Sequence, residues 1–264
     1  MPDLKKLIAD LESNTSLCAP HHLRTRIEAL EQFEFLNVAI PSIQAKLEAA
    51  NDEAYESMRR DIRLGADALS KWARLPDMPK GEGYDYLDEI VAGIFRFEEP
   101  ATQIAEPNPE MVAYQPTPAR LIFDLFRRTA LTEQDILVDF GSGLGHVALL
   151  TNICTSARAI GIELEPAYVH IARQTAEALN LKRVTFVQQD ARTANLAAGT
   201  VFYLYTPFKG SILRTVLERL RCEASRREIR VCTYGPCTTT IAAEEWLQCV
   251  GTPQPDQISV FRPA

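Results

Sequence analysis

Three glycines, Gly141, Gly143 and Gly145, fall in the run VDFGSGLGHVALL, residues 138–150. A glycine turn of this kind lets a ligand approach the backbone closely, and the free N–H groups of a helix starting near His146 favour an anionic group. A dinucleotide fingerprint, G-x-G-x-x-G, would place its third glycine at 146, where this chain has histidine; the spacing is G-x-G-x-G instead. Asp139 stands near the end of the apolar run before the turn. Glu163 ends the next such run, AIGIE, 18 residues beyond Gly145. That is close to the ~20-residue offset at which an acid pairs with ribose hydroxyls. Asp190 ends a third run, VTFVQQD, where a carboxylate can accept a hydrogen bond from an exocyclic amine. Each acid alone reads more readily as a solvated loop residue. Three acids at three successive strand ends behind one glycine turn describe a nucleoside site.

In VDFGSGLG, GIELEP and QQDAR, residues 114–264 resemble the Rossmann-like, class I S-adenosylmethionine-dependent methyltransferases, matching their first three cofactor motifs in order and spacing. The resemblance implies that S-adenosyl-L-methionine is the cofactor. Its methionine end would lie on Asp139, Gly141, Ser142, Gly143 and Gly145, its ribose on Glu163 beside Leu164, and its adenine amine on Asp190 beside Ala191. The segment YQPTP, residues 114–118, is similar to one that precedes the domain in a subset acting on protein lysines, the non-SET histone-lysine and mitochondrial ATP-synthase-subunit lysine groups. There it folds over the methionine end, which implies that Tyr114 and Thr117 join the site.

The fourth apolar run ends in YLYTPFKG, where amino-group methyltransferases of nucleobases carry D/N-P-P-Y/F. Tyr205, Thr206, Pro207 and Phe208 keep a proline and an aromatic but lose the acid or amide that would accept the amine's hydrogen, which speaks against base methylation. Tyr205 and Phe208 are the expected catalytic pair, orienting the acceptor, with Tyr205 also beside the cofactor; packing at the sheet end is the equal alternative. A lysine acceptor must arrive neutral, and the candidates for its proton are Tyr205 and Glu110. His146 reads as a helix-surface residue and His21 and His22 as structural, with no carboxylate at metal spacing; no metal is expected. Arg219, Arg221, Arg226, Arg227 and Arg230 form a basic group that reads as a solvated face, with an acidic partner or phosphate as the alternative.

The elements that must position these residues change character along the chain. Leu4, Leu7, Ile8 and Leu11 mark one helix face, and Leu23, Ile27 and Leu30 begin a second. From Ile43 to Trp72 apolar residues recur every three or four, Gly65 among them, predicting one helix of about nine turns. Tyr84, Leu87, Ile90, Val91 and Ile94 mark another helix, ending near Phe97. Residues 98–120 carry five prolines and read as a connector contributing to the cofactor site. From Leu121 short apolar runs alternate with amphipathic helices, the pattern of βαβ units and a parallel sheet covered on both faces. TTTIAAEEWLQ, from Thr238, reads as the last helix. The family resemblance makes the final strand antiparallel, with TPQPD, residues 252–256, as the turn before it. The expected class is α/β: a helical region over 1–97, which covers the substrate or only supports the fold, then the connector, then the cofactor-binding domain over 121–264.

Composition bounds the rest. The chain has 264 residues and a net charge of −7. Residues 1–113 carry a net −9 and residues 114–264 a net +2. An acidic first half disfavours a long phosphate footprint, so nucleic acid is not the expected partner and protein is slightly preferred. No run approaches the ~20 apolar residues of a membrane span, and the expected location is cytoplasmic. The six cysteines, without CxxC pairs, read as reduced and mostly buried thiols. The reading is thus a methyltransferase, with protein lysine as the expected acceptor. The alternatives are an RNA or small-molecule methyltransferase, a scaffold that binds the cofactor without turnover and, least favoured, a nicotinamide-dependent oxidoreductase.

Overall fold

The computed structural model describes residues 20–69, 83–98, 100 and 109–264. The helix expected over Leu4–Leu11, and Trp72, lie outside them. A short 3-10 turn, Pro20–His22, leads into α1 (Leu23–Phe35), and α2 spans Pro41–Arg63, its first residue a proline whose missing N–H costs nothing at that position. The long helix foreseen as far as Trp72 stops here. Gly65, at φ +84°, lets Ala66 N–H bond to Asp61 C=O at 3.0 Å and Gly65 N–H to Ile62 C=O at 2.8 Å, the paired bonds that close a helix on a left-handed residue. Gly65, read as a small residue in a helix seam, is the stop signal.

Helix α3 (Tyr86–Phe95) opens on a capping box. The Asp85 carboxylate accepts from Leu87 N–H, and that of Asp88 accepts from Asp85 N–H, both at 2.8 Å. The second oxygen of Asp88 accepts from Ala119 N–H at 2.8 Å, fixing the start of α3 to the start of α4 (Ala119–Thr129). The regular part of the sheet domain therefore begins two residues before the expected Leu121.

Next come β1 (Ile136–Phe140), α5 (His146–Cys154), β2 (Arg158–Glu163), α6 (Pro166–Ala178), β3 (Val184–Gln188), β4 (Val201–Tyr205), α7 (Gly210–Ala224), β5 (Arg230–Tyr234), α8 (Cys237–Ala242), β6 (Leu247–Cys249) and β7 (Ser259–Pro263). They form a seven-stranded sheet in the order β3-β2-β1-β4-β5-β7-β6. Neighbours among β1 to β5 pair in parallel, and β7 runs antiparallel between β5 and β6. The antiparallel final strand is as expected, and Thr252–Asp256 leads back to it over the end of β5, where Pro255 C=O accepts from Gly235 N–H at 2.8 Å. The last helix is shorter than expected. It ends at Ala242, and Leu247–Cys249, read as its continuation, pairs with β7 as an edge strand.

Every residue of β1 is buried, as a central parallel strand requires. On one face Leu137, Tyr203, Cys232 and Val260 meet α3, α4, α5 and α6, and the same core takes in Leu23 and Ile27 of α1 and Met58 and Ile62 of α2. On the other face Val138, Phe202, Leu204 and Val231 meet α7 and α8. The N-terminal helices thus share the core of the sheet, and Arg63 Nε donates to Ala178 C=O of α6 at 2.9 Å. Of the described cysteines only Cys232 and Cys237 are buried. Cys154 and Cys249 are half-buried and Cys222 is exposed, so the thiols are less buried than expected.

Candidate active site

The carboxyl ends of β1, β2, β4 and β5 meet the connector here. Asp139 is 4% exposed, and its carboxylate has no hydrogen-bond partner among the described residues. Burial, and then the nearby negative charge of Glu163, raise its pKa well above the usual carboxylate range. A buried acid with no donor and a like charge beside it is electrostatically suited to a cation. The Ser142 hydroxyl, just past the strand, is likewise buried and unpartnered.

The turn above Asp139 is held from both sides. Gly143, at φ +51°, has the Tyr114 ring lying where a Cβ would project, and a Cβ on Gly145, at φ +90°, would come within 2.6 Å of the Phe186 ring. Gly141 completes the turn, its N–H donating to Ile162 C=O at 2.9 Å. Glu163 braces the turn as well as facing it. Its carboxylate accepts from Gly143 N–H at 2.8 Å, Leu164 N–H at 2.7 Å and Glu165 N–H at 2.9 Å. Leu164 itself is exposed.

Tyr114 and Thr117, expected to join the site, lie against the glycine turn and β4. The Tyr114 hydroxyl lies 3.2 Å from His146 Nδ1, and Thr117 Oγ1 lies 3.1 Å from the Tyr203 hydroxyl, beside Asp139 in the register of β1 and β4. His146 departs from the surface reading. Its ring packs against Phe97 at 4.8 Å and Phe95 at 5.9 Å, and burial pushes its pKa down to about 4, so it is neutral at physiological pH. His21 and His22 lie ring against ring at 4.1 Å, tilted by 45°, in the turn before α1.

Asp190 lies past the end of β3, engaged by a neighbour that the sequence reading passed over. Arg192 grips its carboxylate through Nη2 at 2.6 Å and Nε at 3.1 Å, and this bond holds the acid below its usual range. Ala191, next to it, gives its carbonyl to Arg219 at 3.2 Å. That contact begins to dissolve the basic cluster. Arg227 bonds to Leu196 C=O at 2.8 Å and Arg230 pairs with Asp135, so three of the five arginines pin loops to the sheet, and only Arg221 and Arg226 are exposed.

At β4 the two expected catalytic residues part company. Tyr205 stands half-buried at the strand end, its ring 4.7 Å from that of Tyr234 at the end of β5. Phe208 is 3% exposed, edge-on to Phe140 in the opposite core. Phe208 is therefore a packing residue, because the turn after β4 carries it over to the far face of the sheet. Between them Thr206 adopts φ +41°, a strained conformation for a β-branched residue, held by bonds from its hydroxyl to Tyr234 C=O and from Cys237 N–H, both at 3.1 Å.

Glu110, the other candidate proton acceptor, caps α7. Its carboxylate accepts from Ser211 Oγ at 2.6 Å and Ser211 N–H at 2.9 Å, which holds it below its usual range, and Met111 bridges Phe208. It anchors the connector beside β4. Two residues that the sequence reading left out complete the region. Tyr234 ends β5 as Tyr205 ends β4, a signal visible in the paired runs VFYLY and EIRVCTY. Tyr84, 50% exposed, donates its hydroxyl to Pro116 C=O of the connector at 2.9 Å. It is close enough to Tyr205 to raise that phenol's pKa, after burial and Tyr234.

Residues 137–223 match the profile of a methyltransferase domain. No curated protein matches the chain. Among solved structures, similarity extends to an RNA methyltransferase from Salinibacter ruber in complex with S-adenosyl-L-homocysteine, at 24% identity over 56% of this chain and 92% of that one, TM-score 0.46. A SAM-dependent methyltransferase from Aquifex aeolicus matches at 15% identity over 55% of this chain and 93% of that one, TM-score 0.44. A tRNA (uracil-54, C5)-methyltransferase from Pyrococcus abyssi matches at 16% identity over 58% of this chain and 40% of that one, TM-score 0.44. No helix among the described residues is long and apolar enough to cross a membrane.

Proposed function

We propose that this chain, whose residues 137–223 match a methyltransferase domain, is a class I methyltransferase that uses S-adenosylmethionine and methylates a protein lysine presented at Tyr84, Tyr205 and Tyr234. The observation that carries the proposal is this tyrosine cluster, set at the ends of two adjacent strands on the Asp139 side of the sheet. The bound cofactor would supply an electrophilic methyl group, attacked in line by the acceptor's lone pair while the methyl–sulfur bond breaks and its electrons stay on the departing thioether, so alignment carries much of the rate. Asp139 would receive the ammonium of the methionine end, and the orphaned Ser142 hydroxyl would bond to the same end. Glu163 would hold the ribose. Asp190 would receive the adenine amine in competition with Arg192.

At the acceptor side, burial raises the phenols of Tyr84 and Tyr205, so both stay protonated at physiological pH and neither is a base. Their hydroxyl oxygens can accept a hydrogen bond from an ammonium or an amine, which orients the nitrogen. The acceptor nitrogen must then shed its proton before attack, helped by leaving water for an aromatic surround that disfavours the charge. Transfer is accordingly expected to rise with pH through the neutral and mildly alkaline range, toward the lysine model value of about 10.4.

The test is tritiated-methyl transfer from labelled cofactor into a host lysate lacking the enzyme, followed by separation of protein, RNA and small molecules. Label in protein, retained in methyl-lysine after hydrolysis and rising with pH, supports the reading. Label in RNA or in small molecules replaces the acceptor class. Binding without any transfer makes the chain a cofactor-dependent scaffold.

The cofactor contacts have their own test. Glu163→Ala is expected to weaken S-adenosylmethionine binding by about 1–3 kcal/mol in calorimetry, and Asp190→Ala by less, because Arg192 already occupies that acid in the free protein. Glu163→Gln keeps an acceptor oxygen for the turn and should retain part of the affinity. Wild-type binding by both alanine variants would move the nucleoside elsewhere.

A further inference from the structure

A cavity of about 500 Å³ lies away from the strand ends, among α1, α2 and α3. Glu31 and Glu34 of α1, Glu48 of α2 and Glu89 of α3 stand around it, all exposed, and among the described residues no Lys or Arg lines it. The Glu31 carboxyl is raised by burial and then by Glu89 and further acids nearby. An acidic rim alone is usually a solvated surface. Here the floor beneath it is built.

Asn51 and Tyr55 of α2, 5% and 8% exposed, form that floor. Arg26 Nε donates to Asn51 Oδ1 at 2.6 Å, which fixes the amide and leaves its nitrogen without a partner among the described residues. The Tyr55 hydroxyl has none either, and burial followed by Glu89 pushes its pKa up to about 12, so it keeps its proton. Its ring lies against Gly93 of α3, where any Cβ would collide, so the glycine sets its position. Two donors that reach the cavity lie under four carboxylates. The rim attracts cations, and the floor offers an N–H and an O–H to a hydrogen-bond acceptor.

A basic peptide carries both, whereas a polyamine has only the cations and an anion meets repulsion. We propose that this cavity binds a lysine- or arginine-bearing segment of a partner polypeptide, with cationic side chains among Glu31, Glu34, Glu48 and Glu89 and a backbone carbonyl on Asn51 or Tyr55. The apolar walls, Ile27 and Phe33, suit the aliphatic stems of those side chains. The assignment stands apart from the methyl-transfer site and does not rest on the acceptor proposed above.

The experiment titrates the whole chain into a fluorescein-labelled peptide of alternating lysine and glycine, capped at both ends, at low salt, and follows anisotropy with spermine as competitor. Saturable binding is expected, with spermine a much weaker competitor. Glu31→Gln with Glu89→Gln should raise Kd about tenfold or more. Tyr55→Phe, which keeps the ring on Gly93, should raise it about threefold or more. Both variants should bind S-adenosylmethionine as the wild type does, showing an intact fold. Absence of peptide binding, wild-type affinity in both variants, or spermine competing as strongly as unlabelled peptide would each overturn the proposal.

Discussion

Asp139→Asn is expected to weaken S-adenosylmethionine binding by about 2–4 kcal/mol, the scale for removing one partner of a buried charge pair, and at the same time to raise the melting temperature of the free protein. The opposite signs share one cause. In the free protein the acid is buried, has no donor and sits near Glu163, so its pKa is raised above that of the unfolded chain. A carboxyl raised in this way adds stability only at low pH, and that stability is lost as pH rises through the raised value. Asparagine, neutral throughout, escapes the loss. The variant should therefore be more stable than the wild type at neutral pH, with the difference closing as the solution is acidified. Saturating cofactor should reverse the order, because the ammonium that relieves Asp139 has less to gain from an amide. Calorimetric titration and thermal unfolding with and without cofactor test both limbs. A variant that binds normally, or is destabilised when free, would deny Asp139 the role of an ammonium site.

What the sequence disclosed follows from which forces are local. The alternation of apolar runs and amphipathic helices was legible because central parallel strands are buried on both faces and must be apolar throughout, as Ile136–Phe140 is. The glycine turn and its acids were legible because their spacing is set by the backbone. Gly65 was available as a stop signal, since a glycine ends a helix as readily as it pads a seam, but periodicity favoured the longer helix.

Contacts between distant segments left no such trace. Glu110 caps a helix 101 residues downstream, and its carboxylate is indistinguishable in the sequence from a free acid. Phe208 reads as a site aromatic until the turn after β4 is seen to carry it to the far face. The apolar stripe of the N-terminal helices says that a face is buried and not against what. Because Leu23, Ile27 and Met58 share one core with Leu137 and Tyr203, removing residues 1–97 would open the sheet's own core; among the described residues of that region, Tyr84 reaches the connector, and Phe95 and Phe97 reach His146.

Gly145→Ala is expected to destabilise the fold by about 2–5 kcal/mol, combining strain at a positive φ with overpacking of a filled core. Gly145 adopts φ +90°, and its added Cβ would fall 2.6 Å from the Phe186 ring and 3.2 Å from Ala172 of α6. Phe186 is itself buried on β3, so the ring can yield only by moving the core around it. Gly251→Ala separates the two contributions. Gly251 adopts a similar φ of +94°, but nothing lies within 4 Å of its Cβ position, so that variant should lose only the strain, about 1–3 kcal/mol. The difference between their unfolding free energies measures the packing of the glycine turn against Phe186. It should also appear in binding: Gly145 precedes the first residue of α5, and displacing it disturbs the N–H groups offered to the cofactor, whereas Gly251 lies beyond β6 and should leave affinity unchanged. Equal destabilisation by the two substitutions would mean that the turn is free to relax away from the core. Its three glycines would then serve backbone conformation alone rather than the close packing of turn, ring and helix beneath the cofactor.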